Sequence, residues 1–197
     1  MIGIRAALSD PRVRRWALSE LAANSGWIGV LVYAGALFVQ SYGSSPAATG
    51  VILAIAAAAF LVGNITFRRA ADRDPRRLLI RRALAMSVLV TLFGAVRPTP
   101  AVSAFLLAST AFLGGGRTLL GNAVGLRTAR EKRVAAMAAR AAANQFGYFV
   151  GAAAGGLALS LFGYAGLGLL LALLFVLAAA ALVDRGRAGA VAQPATA

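Results

Sequence analysis

The feature that most constrains this chain is a succession of long apolar runs separated by short polar breaks. They cover about residues 16–40, 47–67, 78–96, 101–126, 134–162 and 164–183, and the last holds no charged residue at all. A bilayer-spanning helix needs about 20 mostly apolar residues, and each run reaches or approaches that length. Buried helices of a soluble bundle can also be apolar all round. Several consecutive runs near spanning length, in a chain that is 60% hydrophobic and 13% charged, leave too little polar surface for that reading. The predicted class is an all-α membrane protein of six transmembrane helices over residues 16–184. A basic segment precedes it at 1–15 and a small polar tail follows at 185–197.

The breaks carry their own signals. Ser41 to Pro46 is uncharged turn chemistry, and Pro98 and Pro100 interrupt the chain after Arg97. Gly163 joins the fifth and sixth runs. The basic residues cluster in Arg5 to Arg15, in 68–77, in 127–133 and at Arg185 and Arg187, whereas the intervening loops hold only Arg97. Arginine and lysine are retained on the cytoplasmic side of short loops, so both termini are predicted to be cytoplasmic. Arg81 and Arg82 open the third run, where long side chains can snorkel to the headgroups.

The formal net charge of +14 is thus a topology signal, and no nucleic-acid partner is implied. There is no Cys and no His, so disulfides and the usual metal and nucleophile constellations are absent. No catalytic residue, cofactor or metal is expected. Gly114 to Gly116 lacks the Gly-Lys-Ser/Thr of a phosphate loop. An embedded enzyme would have to be built on Glu20, the one acidic residue within an apolar run.

Charge inside hydrocarbon is costly and faces a cavity or a partner. Arg117, after three glycines in the fourth run, is therefore a candidate contact for an anionic substrate or a carboxylate. Glu20 lies about one turn inside the first helix, where a solvated end position and a proton carrier are both open readings. Asn24, Asn64, Asn122, Asn144, Gln145 and Tyr148 are candidates for a polar pathway or for hydrogen bonds between helices. Gly147, Gly151 and Gly155 recur every fourth residue, with Gly156 beside them, so one helix face allows a close neighbour. Asp72 lies near a helix start that favours negative charge, and Arg73, Arg76 and Arg77 can bridge helix ends as a gate clamp or anchor the loop at an anionic leaflet.

Six helices and the run from Gly63 to Arg77 resemble one half of a major facilitator superfamily transporter. Members carry a loop of Gly, three residues, Asp-Arg, any residue, Gly and basic residues between the second and third helices of each half. Asp72-Arg73-Asp74-Pro75-Arg76-Arg77 matches its centre, with Arg68 and Pro75 standing where the pattern has glycine. Such replacement is typical of the family's second half. Gly26 to Gly35, followed by Tyr42-Gly43, resembles the seventh helix of bacterial sugar and drug efflux members. Gly147, Gly151, Gly155 and Gly156 resemble the glycine-rich helix of the antiporters, without its proline.

The resemblance implies ion-coupled alternating access for a small organic solute, with efflux as the direction and protons as a coupling ion. The setting implied is the bacterial cytoplasmic membrane, with the third and sixth helices against lipid. One half cannot enclose a central site, so a second six-helix half is implied, from another copy or a separate chain. A non-transporting scaffold or regulatory subunit, and a truncated remnant, are the alternatives.

Overall fold

Four helices in succession begin with the same device: a short polar residue followed by proline. Asp10-Pro11, Ser45-Pro46, Asp74-Pro75 and Thr99-Pro100 open α2 (Pro11–Tyr42), α3 (Pro46–Thr66), α4 (Pro75–Ala95) and α5 (Pro100–Thr128). Each polar side chain accepts a hydrogen bond from a first-turn amide, as in Asp10 Oδ1 from Arg12 N at 2.8 Å and Asp74 Oδ1 from Arg77 N at 3.1 Å. Each proline sits where its missing N–H is no loss. A short helix, α1 (Ile4–Leu8), precedes them and α6 (Arg133–Leu182) follows. The computed structural model describes residues 4–69, 74–129 and 133–183.

Five of these helices are long and apolar enough to cross a membrane. The first starts at Pro11 and not at Trp16, so Arg12, Arg14 and Arg15 belong to it. At 1.5 Å per residue its 32 residues reach about 48 Å, beyond the ~30 Å of hydrocarbon. The basic first turns therefore extend past the apolar slab. Its far end stops at Gly43, at φ 63° and ψ 26°, where the amides of Gly43 and Ser44 return to Val39 O and Phe38 O. That left-handed cap is one that glycine adopts without strain.

The two final runs expected from the sequence are two helical arms of one 50-residue stretch, α6, parted by a kink at Gly163. Gly163 lies inside it with φ 63° and ψ −164°, outside the helical region. The two arms on either side of Gly163 meet α2 in opposite order. In the first arm Arg140 touches Glu20, Asn144 touches Asn24 and Gly151 approaches Ser25. In the second, Leu171 abuts Gly29, Phe175 abuts Gly26 and Ala178 O accepts from Ser19. The arms thus run antiparallel to one another along a shared neighbour.

Glycine sets the closest approaches. A Cβ on Gly151 would stand 2.1 Å from Ser25 O, one on Gly115 1.9 Å from Phe60 O, and one on Gly94 2.4 Å from Tyr164 O. These three contacts join α6 to α2, α5 to α3 and α4 to the second arm of α6, each backbone against backbone. Burial differs between the long helices. The third long helix, α4, buries Leu79, Arg82, Ala83, Met86, Val90 and Phe93, whereas α3 buries only Thr49, Ala56 and Gly63. Those three recur every seventh residue, a single seam, because α3 packs chiefly on α5.

The interior divides into two apolar clusters. One gathers Phe38, Met86, Val90, Leu107 and Phe175, the other Val13, Trp16, Leu79, Leu120, Val124 and Leu182. On α2, α4 and α5, Glu20, Arg82 and Arg117 fall between them in sequence, a charged layer within an apolar stack.

Candidate functional site

The layer is built on a carboxylate with no solvent exposure. Glu20 Oε1 accepts from Arg117 Nη2 at 2.9 Å and Oε2 accepts from Arg140 Nε at 2.6 Å. The three residues come from α2, α5 and the first arm of α6. Arg117 Nη2 also donates to Ser19 O at 3.2 Å, and Ser19 Oγ donates to Ala178 O at 2.8 Å, which brings in the second arm. One helical turn along, Asn24 Nδ2 donates to Asn144 Oδ1 at 2.6 Å and to Glu20 O at 2.7 Å.

These contacts form a ladder. Glu20 and Asn24 are four residues apart on α2, Arg140 and Asn144 four apart on α6, so each pair shares a helix face. The two helices run in the same direction there, and rung faces rung. Close approach of Gly147 and Gly151 to Leu21 O and Ser25 O keeps the ladder narrow. Gly121 seats the carboxylate, because a Cβ there would lie 2.7 Å from Glu20 Oε1. Its carbonyl also accepts from Trp16 Nε1 at 3.0 Å, closing the layer from the Pro11 side of α2.

The glycines before Arg117 divide their work. Gly115 admits the α3 backbone, while Gly116 leaves space for Arg82 and Phe67. Arg82 is buried with its guanidinium 3.2 Å from the Phe67 ring centre, and its Nε and Nη1 have no hydrogen-bond partner. Its neighbour Arg81 is exposed, so of the two residues expected to snorkel Arg82 instead turns inward. Helix phase explains the split, since adjacent residues point about 100° apart.

Of the residues singled out from the sequence, Glu20, Arg117, Asn24 and Asn144 come together. Glu20 is not the solvated end residue that its position suggested, because α2 extends two further turns beyond it. Asn64 and Asn122 are half-buried and share no hydrogen bond with the cluster, and Gln145 and Tyr148 are exposed. Gly147 and Gly151 pack against α2, and Gly155 and Gly156 against the Tyr33 ring, whose hydroxyl donates to Ala152 O. Arg140 was missed by the sequence reading. It lies seven residues before Gly147, on the face that the glycine stripe defines, and that spacing was the available signal.

Asp72 and Arg73 lie outside the described residues. Arg76 donates to Leu182 O through Nε at 2.9 Å, joining the start of α4 to the end of α6, and Arg15 does the same from α2 through Ala181 O at 2.9 Å. Cations at a helix C-terminus meet its unsatisfied carbonyls. Arg77 is exposed, with its amide held by Asp74. Among the described residues no group of three metal-ligating side chains is present.

A bundle of bilayer-length apolar helices is a polytopic membrane protein in class. The family model of the major facilitator superfamily matches residues 17–196, and the chain belongs to that superfamily. Its members move solutes across membranes and are generally not enzymes. No curated protein and no solved structure matches the chain.

Proposed function

We propose that the chain moves a small organic solute by alternating access, as one six-helix half of a transporter, with the Glu20 layer in its substrate path. The observation that carries this reading is the fully buried carboxylate held by arginines from two other helices. Such a layer is a poor stabiliser, since desolvation of ions offsets much of their attraction, and buried ionisable groups in a bilayer mark pathways and relays.

The reversal of α6 at Gly163 supports six crossings, with Pro11 and Leu182 on one side. That side carries every described arginine of the loops except Arg97, so it is read as cytoplasmic in a bacterial plasma membrane. Exposed apolar residues on α3, such as Val51, Ile55 and Val62, and on the first arm, such as Phe149 and Leu157, suit a second half, from another copy or a separate chain. The degenerate loop at 68–77 and the glycine-rich first arm favour the C-terminal half of a bacterial sugar or drug efflux member. Ion coupling assigns the proton to Glu20, whose neutralisation would release both arginines. Asp72, Arg73, Arg76 and Arg77 act as the clamp of the gate, and the Arg76 bond to Leu182 O supports that role.

A scaffold that recruits other helices through small-residue faces is less well supported, because the glycine faces are occupied within the chain. The test is uptake by proteoliposomes loaded with a panel of radiolabelled organic solutes, with and without a pH gradient. Flux that responds to the gradient and falls at least tenfold in Glu20→Gln is expected. Flux indifferent to Glu20→Gln would remove the layer from the path, and no flux with any second half supplied would favour the scaffold or a remnant.

A further inference from the structure

We infer that the Glu20 layer receives a monovalent organic anion, which completes the charge balance of Arg117 and Arg140. The inference rests on the transport reading and names the class of solute. Two guanidiniums share one carboxylate. Guanidinium does not lose its proton in proteins, so the trio of Glu20, Arg117 and Arg140 holds two positive charges against one negative, a net +1. Arg82, stacked on the Phe67 ring beside Gly116, adds a further positive charge to the layer. An uncompensated buried charge is strongly unfavourable. One bound carboxylate brings the trio to neutrality, whereas a neutral solute leaves +1 and a cation makes +2.

The donors for such a ligand are present. Arg117 engages Ser19 O and Glu20 through Nη2, while its buried Nε has no partner. Arg140 engages Glu20 through Nε, and its side chain retains 14% exposure. Arginine forks match carboxylates bidentately, and these two leave unclaimed edges on either side of Glu20. Access follows the α6 face. Arg140, Asn144 and Tyr148 lie four residues apart on one stripe, and exposure rises along it to 37% at Tyr148. A solute entering beside Tyr148 meets the Asn24–Asn144 rung before the arginines.

The charge arithmetic gives a signature that an incidental basic patch would not. Glu20→Gln takes the Glu20–Arg117–Arg140 trio from +1 to +2 and moves its preference from monoanion to dianion. Arg140→Gln takes it to zero and removes the preference for anions. The probes are benzoate, its neutral isostere benzamide, its cationic isostere benzamidinium, and the dianion phthalate. Binding of each is measured by calorimetry on protein in phosphatidylcholine nanodiscs.

In the wild type, benzoate is expected to bind about tenfold or more tightly than benzamide or benzamidinium, the scale of one charged hydrogen bond. In Glu20→Gln, phthalate should overtake benzoate. Should that variant fail to fold, Arg140→Gln serves alone, with benzoate and benzamide converging. Equal binding of the four probes, binding of none, or preference for benzamidinium overturns the inference. Equilibrium binding separates it from the transport reading: charge-ranked binding without flux in liposomes overturns transport alone. Flux of a neutral solute that benzoate does not inhibit overturns the anion assignment alone.

Discussion

At the Pro11 end, α2 is tied to its neighbours by a carboxylate gripped by two guanidiniums; at the Tyr42 end the same helix uses neutral hydrogen bonds. There Tyr42 Oη and Ser103 Oγ lie 2.7 Å apart and Tyr164 Oη donates to Gln40 Oε1 at 2.7 Å, with Arg97 over the Tyr164 ring. Both sets join α2 to α5 and α6. Neutral bonds suffice to hold helices in a membrane, at about 0.6 kcal/mol each. The ionic end costs far more to desolvate and gains little over an apolar replacement. The difference teaches that the Glu20 layer is retained for what it does when its partners change, and the neutral end for registration of the helices.

The sharpest way to break that contrast is to remove the shared anion. Glu20→Ala leaves Arg117 and Arg140 buried against each other, and a loss of about 3–5 kcal/mol is expected on breaking such a pair. Unfolding of the detergent-solubilised protein in SDS titration measures it. The complementary triple change, Glu20→Met with Arg117→Met and Arg140→Met, should be neutral or stabilising by about 1–4 kcal/mol, while solute flux disappears. A triple variant as unstable as Glu20→Ala would mean that the layer is structural after all.

Next in size are the glycine contacts, which serve both ends alike. Gly151→Ala puts a methyl 2.1 Å from Ser25 O, beside the ladder, and Gly115→Ala puts one 1.9 Å from Phe60 O, away from it. Both oxygens belong to backbones that cannot rotate aside, so each change should cost about 1–3 kcal/mol. Only Gly151→Ala should also spread Arg140 from Glu20. Equal loss of flux in two variants of equal stability would show that the ladder spacing does not matter.

How much of this was legible in the sequence follows the same division. Helix starts were readable because their chemistry is local: Ser45-Pro46 and Asp74-Pro75 declare their turns within four residues. The start at Pro11 was lost to the arginines after it, which read as a polar segment though helix geometry simply carries them beyond the hydrocarbon. Gly163 was visible as a junction, and its φ of 63° with ψ of −164° is a non-helical kink that glycine adopts without strain and that parts the two arms. Arg117, Glu20, Asn24 and Asn144 were found individually as polar residues in apolar runs. Their pairing was not, because it depends on α2 and the first arm of α6 running in the same direction with Glu20 level with Arg140. No single stretch of sequence encodes that register. Arg140 was passed over in an alanine-rich run, although it lies seven residues, about two turns, before Gly147 on the same helix face.

The smallest effect tests the neutral end. Tyr42→Phe deletes one hydroxyl and strands Ser103, which is buried, though serine can turn its hydroxyl to a carbonyl of its own helix. The expected loss is therefore about 0.6 kcal/mol, near the resolution of an SDS titration, with flux and its pH response unchanged. The ring survives, so its tilted contact with Phe38 at 5.9 Å is preserved and the packing of the end is not at issue. A large drop in flux at unchanged stability would place a moving contact at Tyr42 as well. The two ends would then differ in chemistry but not in role, since a rocking bundle must make and break contacts on both sides of its midplane.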